Sequence, residues 1–140
     1  MNKLWLTDSE GCKEESSESP LVSIVDDDIS VRRSTRRLLC NSGLRAEVFA
    51  SAEDFLQSAC VAETACLLLD VRMPGMGGLE LQRRLAETGR LIPIVFLSAR
   101  ASEEEERRAL RAGAANFLRK PVSKEALLQA IRAVLESPAN

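Results

Sequence analysis

Short apolar runs alternate with longer amphipathic stretches along residues 21–140. Gly, Pro, Asp and Ser bound the apolar runs, which is typical of strands that end at turns. Within the stretches, apolar side chains recur every three or four residues, and this spacing predicts helices. The alternation predicts an α/β fold with three layers, a doubly wound, five-stranded parallel sheet covered by helices on both faces. The predicted strands cover residues 21–25, 45–49, 65–69, 92–97 and 115–118.

Capping residues mark where the helices between these strands begin and end. Ser51 and Ser123 stand at N-cap positions, and Ser102 with Glu105 has the spacing of a capping box. Glycines that suit the left-handed conformation after a helix follow three of the stretches, at Gly43, Gly89 and Gly113. The predicted helices therefore cover about residues 29–41, 52–60, 78–87, 103–112 and 124–135.

Residues 1–20 differ in composition from the rest of the chain. They carry two basic and five acidic side chains and are rich in Ser, which predicts a flexible acidic leader in front of one folded domain over residues 21–140. The apolar segment at residues 4–6 could instead dock on the domain or on a partner. Residues 21–140 carry 17 basic and 16 acidic side chains, so the net charge favours neither nucleic acid nor a membrane as partner.

The residue types that the sequence lacks limit the kinds of catalytic and metal sites that the chain can form. The chain has no His and its four Cys form no C-x-x-C pair, which excludes His-based triads and His-bearing zinc sites and gives no support to a zinc ribbon. Four Cys could form two disulfides, but we expect reduced, mostly buried thiols. No secretory signal and no apolar run of membrane-spanning length is present. The expected location is cytoplasmic.

Polar residues follow four of the predicted strands, at the point where each strand ends. Asp26, Asp27 and Asp28 come after the first strand, and Asp70 after the third. Ser98 follows the fourth strand, and Lys120 follows the fifth. Right-handed crossovers place the carboxyl ends of parallel strands at one edge of the sheet, where α/β proteins bind their ligands. The sequence therefore predicts one site with several carboxylates, a hydroxyl and an ammonium group.

The composition of this site favours phosphoryl chemistry. Two carboxylates about 4 Å apart repel by roughly 4 kcal/mol at an effective dielectric constant of 20, so a cluster of them needs a cation. Oxygen ligands without His or Cys favour a hard divalent ion, and Mg²⁺ fits best. Lys120 adds a charge and Ser98 a hydrogen-bond donor for the same anion. Asp70 is placed to accept a phosphoryl group.

The motifs at the strand ends, taken together, resemble a known family. Val25-Asp26-Asp27, the segment DVRMPGMGG at residues 70–78, Ser98-Ala99 and Lys120-Pro121 are similar to the motifs of the receiver domain of two-component response regulators. The resemblance covers residues 21–140. The Asp-x-Arg-Met-Pro form, with Ser-Ala-Glu-Asp-Phe at residues 51–55, is most similar to the FixJ-type subgroup. The resemblance implies a flavodoxin-like fold with strand order 2-1-3-4-5.

The resemblance also implies roles for the site residues. Asp70 would be the phosphoacceptor for a sensor histidine kinase. The Mg²⁺ ligands would be Asp27, Asp26 through water, Asp70 and the backbone carbonyl of Arg72. Ser98 would bond a phosphoryl oxygen and draw its loop inward, and Lys120 would bridge to the phosphoryl group or to Asp70.

Three further features follow from the same resemblance. Phe117 would be an aromatic switch that turns inward when Ser98 moves. The alternative is that Phe117 is simply a core residue, because both roles have the same apolar surroundings. Arg72 and Arg100 would modulate the lifetime of the acyl phosphate, because their positions flank the path of the hydrolysing water. The peptide bond before Pro121 would be cis. The face formed by the last two helices and the last strand would serve phosphorylation-dependent dimerisation or output, with no nucleic acid or membrane bound by this domain itself.

Several alternatives remain open at this point. The chain could be a stand-alone single-domain regulator, a receiver cut from a longer FixJ-type transcription factor, or a receiver that works without phosphorylation through protein contacts. A phosphatase of the haloacid dehalogenase type would need a second acid where Arg72 stands. A flavin carrier would need a phosphate-binding loop where three Asp follow the first strand. We therefore expect a signalling switch and not an enzyme that turns over a separate substrate.

Overall fold

Five parallel strands form one sheet in the computed structural model, which describes residues 19–136. The strands are β1 (Leu21–Val25), β2 (Arg45–Phe49), β3 (Thr64–Leu69), β4 (Ile94–Ser98) and β5 (Asn116–Arg119). They lie in the order β2-β1-β3-β4-β5, and every neighbouring pair is parallel. The predicted fold class and strand order are confirmed. Residues 1–18, which include most of the predicted leader, and residues 137–140 lie outside the described part.

Five α-helices connect the strands, and most of them begin at the predicted caps. They are α1 (Ile29–Asn41), α2 (Ala52–Gln57), α3 (Gly78–Glu87), α4 (Glu103–Arg111) and α5 (Lys124–Glu136). The Asp28 carboxylate accepts from the amides of Ser30 and Val31 at the start of α1, so Asp28 is the N-cap of α1. Ser102 and Glu105 form the complete capping box of α4.

Two element boundaries differ from the prediction by two residues or more, and the others agree to within one residue. α2 ends at Gln57 and not near residue 60, because Ser58 begins a separate 3₁₀ turn over Ala59–Glu63. The Ser58 hydroxyl donates to the Phe55 carbonyl at 2.8 Å and accepts from the Cys60 amide at 3.2 Å, so it ends one helix and caps the next. β4 begins at Ile94 and not at residue 92. Pro93 precedes it and has no backbone N–H to donate to a neighbouring strand.

The two faces of the sheet each support an apolar cluster. Leu67 and Leu69 of β3 point into a cluster with Phe55 and Phe96, whereas Leu68 points into a cluster on the opposite face. This alternation follows from the two-residue period of a strand. The second cluster includes Leu39 of α1 and Ile131 of α5. β3 is therefore buried on both faces, and Asp70 follows directly at its end.

The cysteines differ in part from the expectation of four reduced thiols. Cys60 and Cys66 are free, but Cys40 is in a disulfide. Cys40 is half-buried near the end of α1. Cys66 is buried in β3, and this burial raises the pKa of its thiol to about 12. None of the helices in residues 19–136 is long and apolar enough to cross a membrane.

Candidate functional site

The sheet brings the predicted site residues to one edge. Val25 pairs with Leu69 across β1 and β3, so the residues that follow them, Asp26 and Asp70, are neighbours. The Asp70 amide donates to the Val25 carbonyl at 3.1 Å, and the Lys120 amide donates to the Ser98 carbonyl at 3.0 Å. These backbone bonds extend the parallel pairing one residue beyond the strands. The strand ends therefore fix the relative positions of the functional side chains.

Three carboxylates converge at this edge. Asp26, Asp27 and Asp70 each offer an oxygen that lies within 4.8 Å of the oxygens of the other two. Asp26 and Asp70 are buried, whereas Asp27 is exposed. Buried carboxylates at such distances repel unless a cation neutralises them. The donor set contains only oxygen and one of its members is open to solvent, so it fits a hydrated Mg²⁺ ion.

Lys120 is the ammonium group at this site, and it bonds Asp26. Lys120 Nζ donates to Asp26 Oδ2 at 2.9 Å, and the side chains are 20% and 4% exposed. Asp26 Oδ1 accepts from the backbone amide of Asp28 at 2.9 Å. Both oxygens of Asp26 are thus engaged, and this aspartate is held rigidly. The sequence had placed Lys120 at a phosphoryl group or at Asp70, and in this structure its partner is Asp26.

The environment of Asp70 opposes the loss of its proton. Burial, and then the nearby Asp26 carboxylate, raise the pKa of Asp70 above its ordinary value, while Lys120 opposes this shift. The Arg72 amide also favours the ionised form through a long bond of 3.4 Å to Asp70 Oδ1. A cation bound beside Asp70 would restore the carboxylate that a nucleophile requires.

Ser98 supplies a buried hydroxyl that lacks a partner. Its side chain is fully buried, and its Oγ has no hydrogen-bond partner of good geometry among the described residues. It lies close enough to Asp70 to oppose slightly the rise in the pKa of that carboxyl. Buried polar groups are almost always hydrogen-bonded, so an orphaned hydroxyl facing the site needs an explanation. An oxygen of a group attached to Asp70 is a partner that would satisfy Ser98.

The segment between β3 and α3 packs tightly against Asp70. A Cβ atom added at Gly78 would lie 2.2 Å from the Asp70 carbonyl oxygen. The Gly78 amide donates to the Val71 carbonyl at 3.0 Å, so the start of α3 rests directly on the backbone beside Asp70. Glu53 of α2 accepts from the Met76 amide at 3.1 Å and fixes the middle of the segment. The sequence showed Glu53 only as part of the motif at residues 51–55.

A cleft of about 430 Å³ contains nearly all of the predicted site residues. Arg72 and Arg100 lie at its rim and are exposed. The orientation of the Arg72 side chain is fixed, because its Nη2 pairs with Glu105 Oε1 of α4 at 2.8 Å. The same oxygen accepts from the Ser102 amide, and this bond is the main reason that the pKa of Glu105 is lowered. The cleft is lined by Asp26, Asp27, Asp28, Asp70, Arg72, Ser98, Ala99, Arg100 and Lys120.

Phe117 of β5 lies outside this cleft, in the apolar core. Its side chain is 8% exposed and stacks on Phe96, with ring centroids 5.5 Å apart and planes at 22°. Phe117 is therefore already inside the core, whereas the resemblance implied that it would turn inward later. The peptide bond between Lys120 and Pro121 is cis, as expected.

Sequence reasoning missed four contacts at the start of α4 and in the loop before it. Arg119 of β5 bonds Glu106, Ala101 and Ser102, and Arg72 bonds Glu105. Only the run of four glutamates at the start of α4 gave a signal, and favourable charge at a helix N-terminus explains such a run equally well. The sequence could not show which residues pair with Arg119 and Arg72, because these contacts depend on the path of the loop after β4.

Comparison with known proteins identifies relatives of the whole described domain. A family model described as the response regulator receiver domain matches residues 22–132. The response regulator protein TodT of Pseudomonas putida is 41% identical over 126 residues, covering 90% of this chain and 56% of TodT. The transcriptional regulatory protein FixJ of Azorhizobium caulinodans is 37% identical over 118 residues, covering 84% of this chain and 56% of FixJ. This chain therefore spans about half the length of these two relatives.

A solved structure agrees with the fold over almost its full length. The chemotaxis protein CheY4 of Vibrio cholerae superimposes with a TM-score of 0.75 at 30% identity. The match covers 83% of this chain and 98% of the CheY4 chain. The fold of the five-stranded parallel sheet is thus shared with a solved protein of similar size.

Proposed function

This chain belongs to the response regulator receiver domain family, and on that premise we propose that it accepts a phosphoryl group on Asp70 from a sensor histidine kinase. It is a signalling protein and not a classical enzyme. One observation carries the proposal. Asp70 lies buried among two further carboxylates, with a lysine and an orphaned buried hydroxyl at the same strand edge. These are the groups that a phosphoryl transfer to a carboxylate requires.

The proposed reaction is a transfer between two nucleophiles. A carboxylate oxygen of Asp70 attacks the phosphorus atom of a phosphohistidine, the new O–P bond forms, and the N–P bond of the histidine breaks. The electron pair of that bond leaves with the imidazole. Lys120 stands 2.9 Å from Asp26, close to the cleft, and supplies positive charge for the transferred group. Ser98 Oγ donates its unused hydrogen bond to one of the phosphoryl oxygens.

The metal in this proposal is Mg²⁺, and the residues that would hold it are Asp26, Asp27, Asp70 and the backbone carbonyl of Arg72. When bound, the ion supplies charge neutralisation for the phosphoryl oxygens and the acidic cluster. Asp27 is the exposed member of the cluster, so it would hold the ion on the side that faces solvent. Asp26 keeps its rigid position through its bonds to Lys120 and Asp28.

The proposed output is a change at the face formed by α4, β5 and α5. Phosphorylation draws Ser98 and its loop toward Asp70, and Phe117 lies below the same loop on β5. This change would control formation of a homodimer. Arg72 and Arg100 at the rim of the cleft would modulate the lifetime of the acyl phosphate.

The biological setting is part of the same proposal. Relatives include transcriptional regulators about twice as long as the matched region, which supports a role in a phosphorelay that controls transcription through an attached or separate output domain. A stand-alone regulator that acts by protein contacts is the alternative. We also propose a cytoplasmic location. The free thiols of Cys60 and Cys66 support it, whereas the disulfide at Cys40 does not.

The acidic cluster can be tested with a matched pair of neighbouring aspartates. The rate of phosphorylation by acetyl phosphate is measured against Mg²⁺ concentration for the wild type, Asp27→Asn and Asp28→Asn. Asp27→Asn should raise the Mg²⁺ concentration needed for half-maximal rate at least about tenfold, because it removes one of the few ligands. Asp28→Asn should behave as the wild type, since Asn also caps helices. Equal effects of the two variants would contradict this metal site.

Homodimer formation requires its own measurement. The sedimentation coefficient of the wild type is determined before and after phosphorylation, with Asp70→Asn treated identically. The proposal predicts a larger coefficient only for the phosphorylated wild type. Unchanged sedimentation at full phosphorylation would contradict the dimer and favour the alternative of a monomer acting through protein contacts.

A further inference from the structure

Arg119, the last residue of β5, contacts both the loop after β4 and helix α4. Its Nη1 donates to the Ala101 carbonyl at 2.6 Å, and its Nη2 reaches the Ser102 carbonyl at 3.4 Å. Its Nε and Nη2 both donate to Glu106 Oε1 of α4, at 3.1 and 2.8 Å. One guanidinium group therefore ties β5 to the loop after β4 and to the first turn of α4. A guanidinium group suits this position because its N–H donors point in several fixed directions from one charged plane.

The same guanidinium group covers Phe117. Residues 117 and 119 lie two apart on one strand and so project from the same face of the sheet. The guanidinium carbon of Arg119 lies 5.5 Å from the centre of the Phe117 ring, within the range of a cation–π contact. Phe96 lies against the same ring, at a centroid distance of 5.5 Å. Phe117 is thus held between a core aromatic and an arginine.

The arginine–glutamate pair within α4 does not make such a connection. Arg107 pairs with Glu104 at 3.1 Å, but both residues belong to α4 and their side chains are about 60% exposed. Pairs of this kind contribute little. Arg119 differs because its partners lie 13 to 18 residues away, and two of them are backbone carbonyls. These carbonyls belong to the loop that begins directly after Ser98.

We propose that Arg119 is a positioning residue for phosphoryl acceptance at Asp70. It holds the loop after β4 and the ring of Phe117 in place, so that Ser98 is already set to bond the phosphoryl oxygen. This inference rests on the proposed function of Asp70. Without Arg119 the loop and Phe117 become mobile, and Ser98 must be ordered during the transfer itself, which slows the transfer.

The inference can be tested by combining kinetics with a probe at Phe117. The protein is labelled with 4-fluorophenylalanine, and its four Phe residues give four ¹⁹F signals, of which Phe117 is assigned from the loss of a signal in Phe117→Leu. The phosphorylation rate with acetyl phosphate and the Mg²⁺ affinity are measured for the wild type and Arg119→Ala. Arg107→Ala is the matched control, because it removes an arginine that pairs only within α4.

Arg119→Ala should lower the phosphorylation rate by about threefold to tenfold, the range expected for losing one or two charge-assisted hydrogen bonds. The ¹⁹F signal of Phe117 should shift or broaden, whereas Mg²⁺ affinity stays unchanged because the three carboxylates are untouched. Glu106→Gln should give a smaller loss, and the double variant should lose no more than Arg119→Ala alone, because the two side chains act as one unit. Arg107→Ala should match the wild type in every measurement.

The outcomes separate this inference from the proposed function. An unchanged or faster rate in Arg119→Ala, or an effect equal to that of Arg107→Ala, overturns the positioning role. A lower Mg²⁺ affinity in Arg119→Ala also overturns it, since a general loss of structure then explains the slower rate. If the wild type accepts no phosphoryl group, the proposed function fails. In that case the ¹⁹F signal of Phe117 alone tests whether Arg119 holds the Phe117 ring in place. An unchanged signal in Arg119→Ala then overturns that role of Arg119.

Discussion

Replacing Gly78 by alanine should displace Asp70 even though alanine is the better helix former. Gly78 is the first residue of α3, and its backbone lies directly on the backbone of Asp70. A Cβ atom there would lie 2.2 Å from the Asp70 carbonyl oxygen and 3.1 Å from the Val71 Cα atom. Both neighbours are backbone atoms, so no flexible side chain can move aside. Either α3 or the end of β3 has to shift.

The size of the effect can be worked out from these distances. Cβ contacts below 3.0 Å are essentially never found in proteins, so the pair must separate by at least 0.8 Å. Forcing atoms into a packed region costs typically about 1–3 kcal/mol, and occasionally more. Exchanging Gly for Ala in a helix would by itself stabilise by about 0.5–1 kcal/mol. Because both neighbours are backbone atoms that cannot move aside, we take the upper end of that cost, about 3 kcal/mol. The net loss is then about 2 kcal/mol, or roughly 6–12 °C in the unfolding temperature for a domain of this size.

The assay compares unfolding temperature and phosphorylation rate for the wild type, Gly78→Ala and Gly43→Ala. Gly43 has a positive φ of 84° and open space around it, so alanine there introduces only backbone strain, at the opposite edge of the sheet. Gly43→Ala should lose about 1 kcal/mol of stability but keep the wild-type phosphorylation rate. Gly78→Ala should lose both stability and rate. An unchanged or higher unfolding temperature in Gly78→Ala would refute the reasoning.

Three further substitutions test the electrostatics of the site and its supports. Asp70→Asn should raise the unfolding temperature in EDTA at neutral pH, because the folded-state pKa of Asp70 is raised and ionisation therefore disfavours the native state. The gain should vanish as the pH falls toward the ordinary carboxyl value of 3.8, and a wild type more stable than the variant at neutral pH in EDTA would contradict it. Lys120→Met should destabilise by about 2 kcal/mol in urea unfolding by leaving the carboxylate of Asp26 without its cation, and Mg²⁺ should recover part of this loss; full stability without metal would count against the ion pair. Asp28→Ala should lose about 1 kcal/mol through loss of the α1 cap, with Asp28→Asn close to wild type, and equal losses in the two variants would show that Asp28 acts otherwise.

The positions of the candidate site residues could be predicted from sequence because they depend only on where strands end. Once β1, β3, β4 and β5 are recognised as parallel, the residues after them must meet at one edge. Asp26, Asp70 and Ser98 follow directly from this rule. The apolar runs that mark the strands are short and clearly bounded, so the prediction does not depend on the details of the loops.

Contacts that depend on loop paths could not be predicted. Arg119 reaches Glu106 only because the loop after β4 brings α4 across the end of β5. Lys120 bonds Asp26 and not Asp70, a choice between two carboxylates that side-chain geometry decides. The sequence left Phe117 as either a switch or a core residue, and only its packing against Phe96 shows that it is buried in this structure.

The most direct test of the account is the intact mass of the protein after incubation with Mg²⁺ and acetyl phosphate. Wild type, Asp70→Asn and wild type with EDTA are compared under the same conditions. The account predicts one added phosphoryl group on the wild type with metal, none on Asp70→Asn and none in EDTA. A phosphoryl group on Asp70→Asn at the wild-type rate, or none on the wild type, would contradict the assignment of Asp70 as the phosphoacceptor.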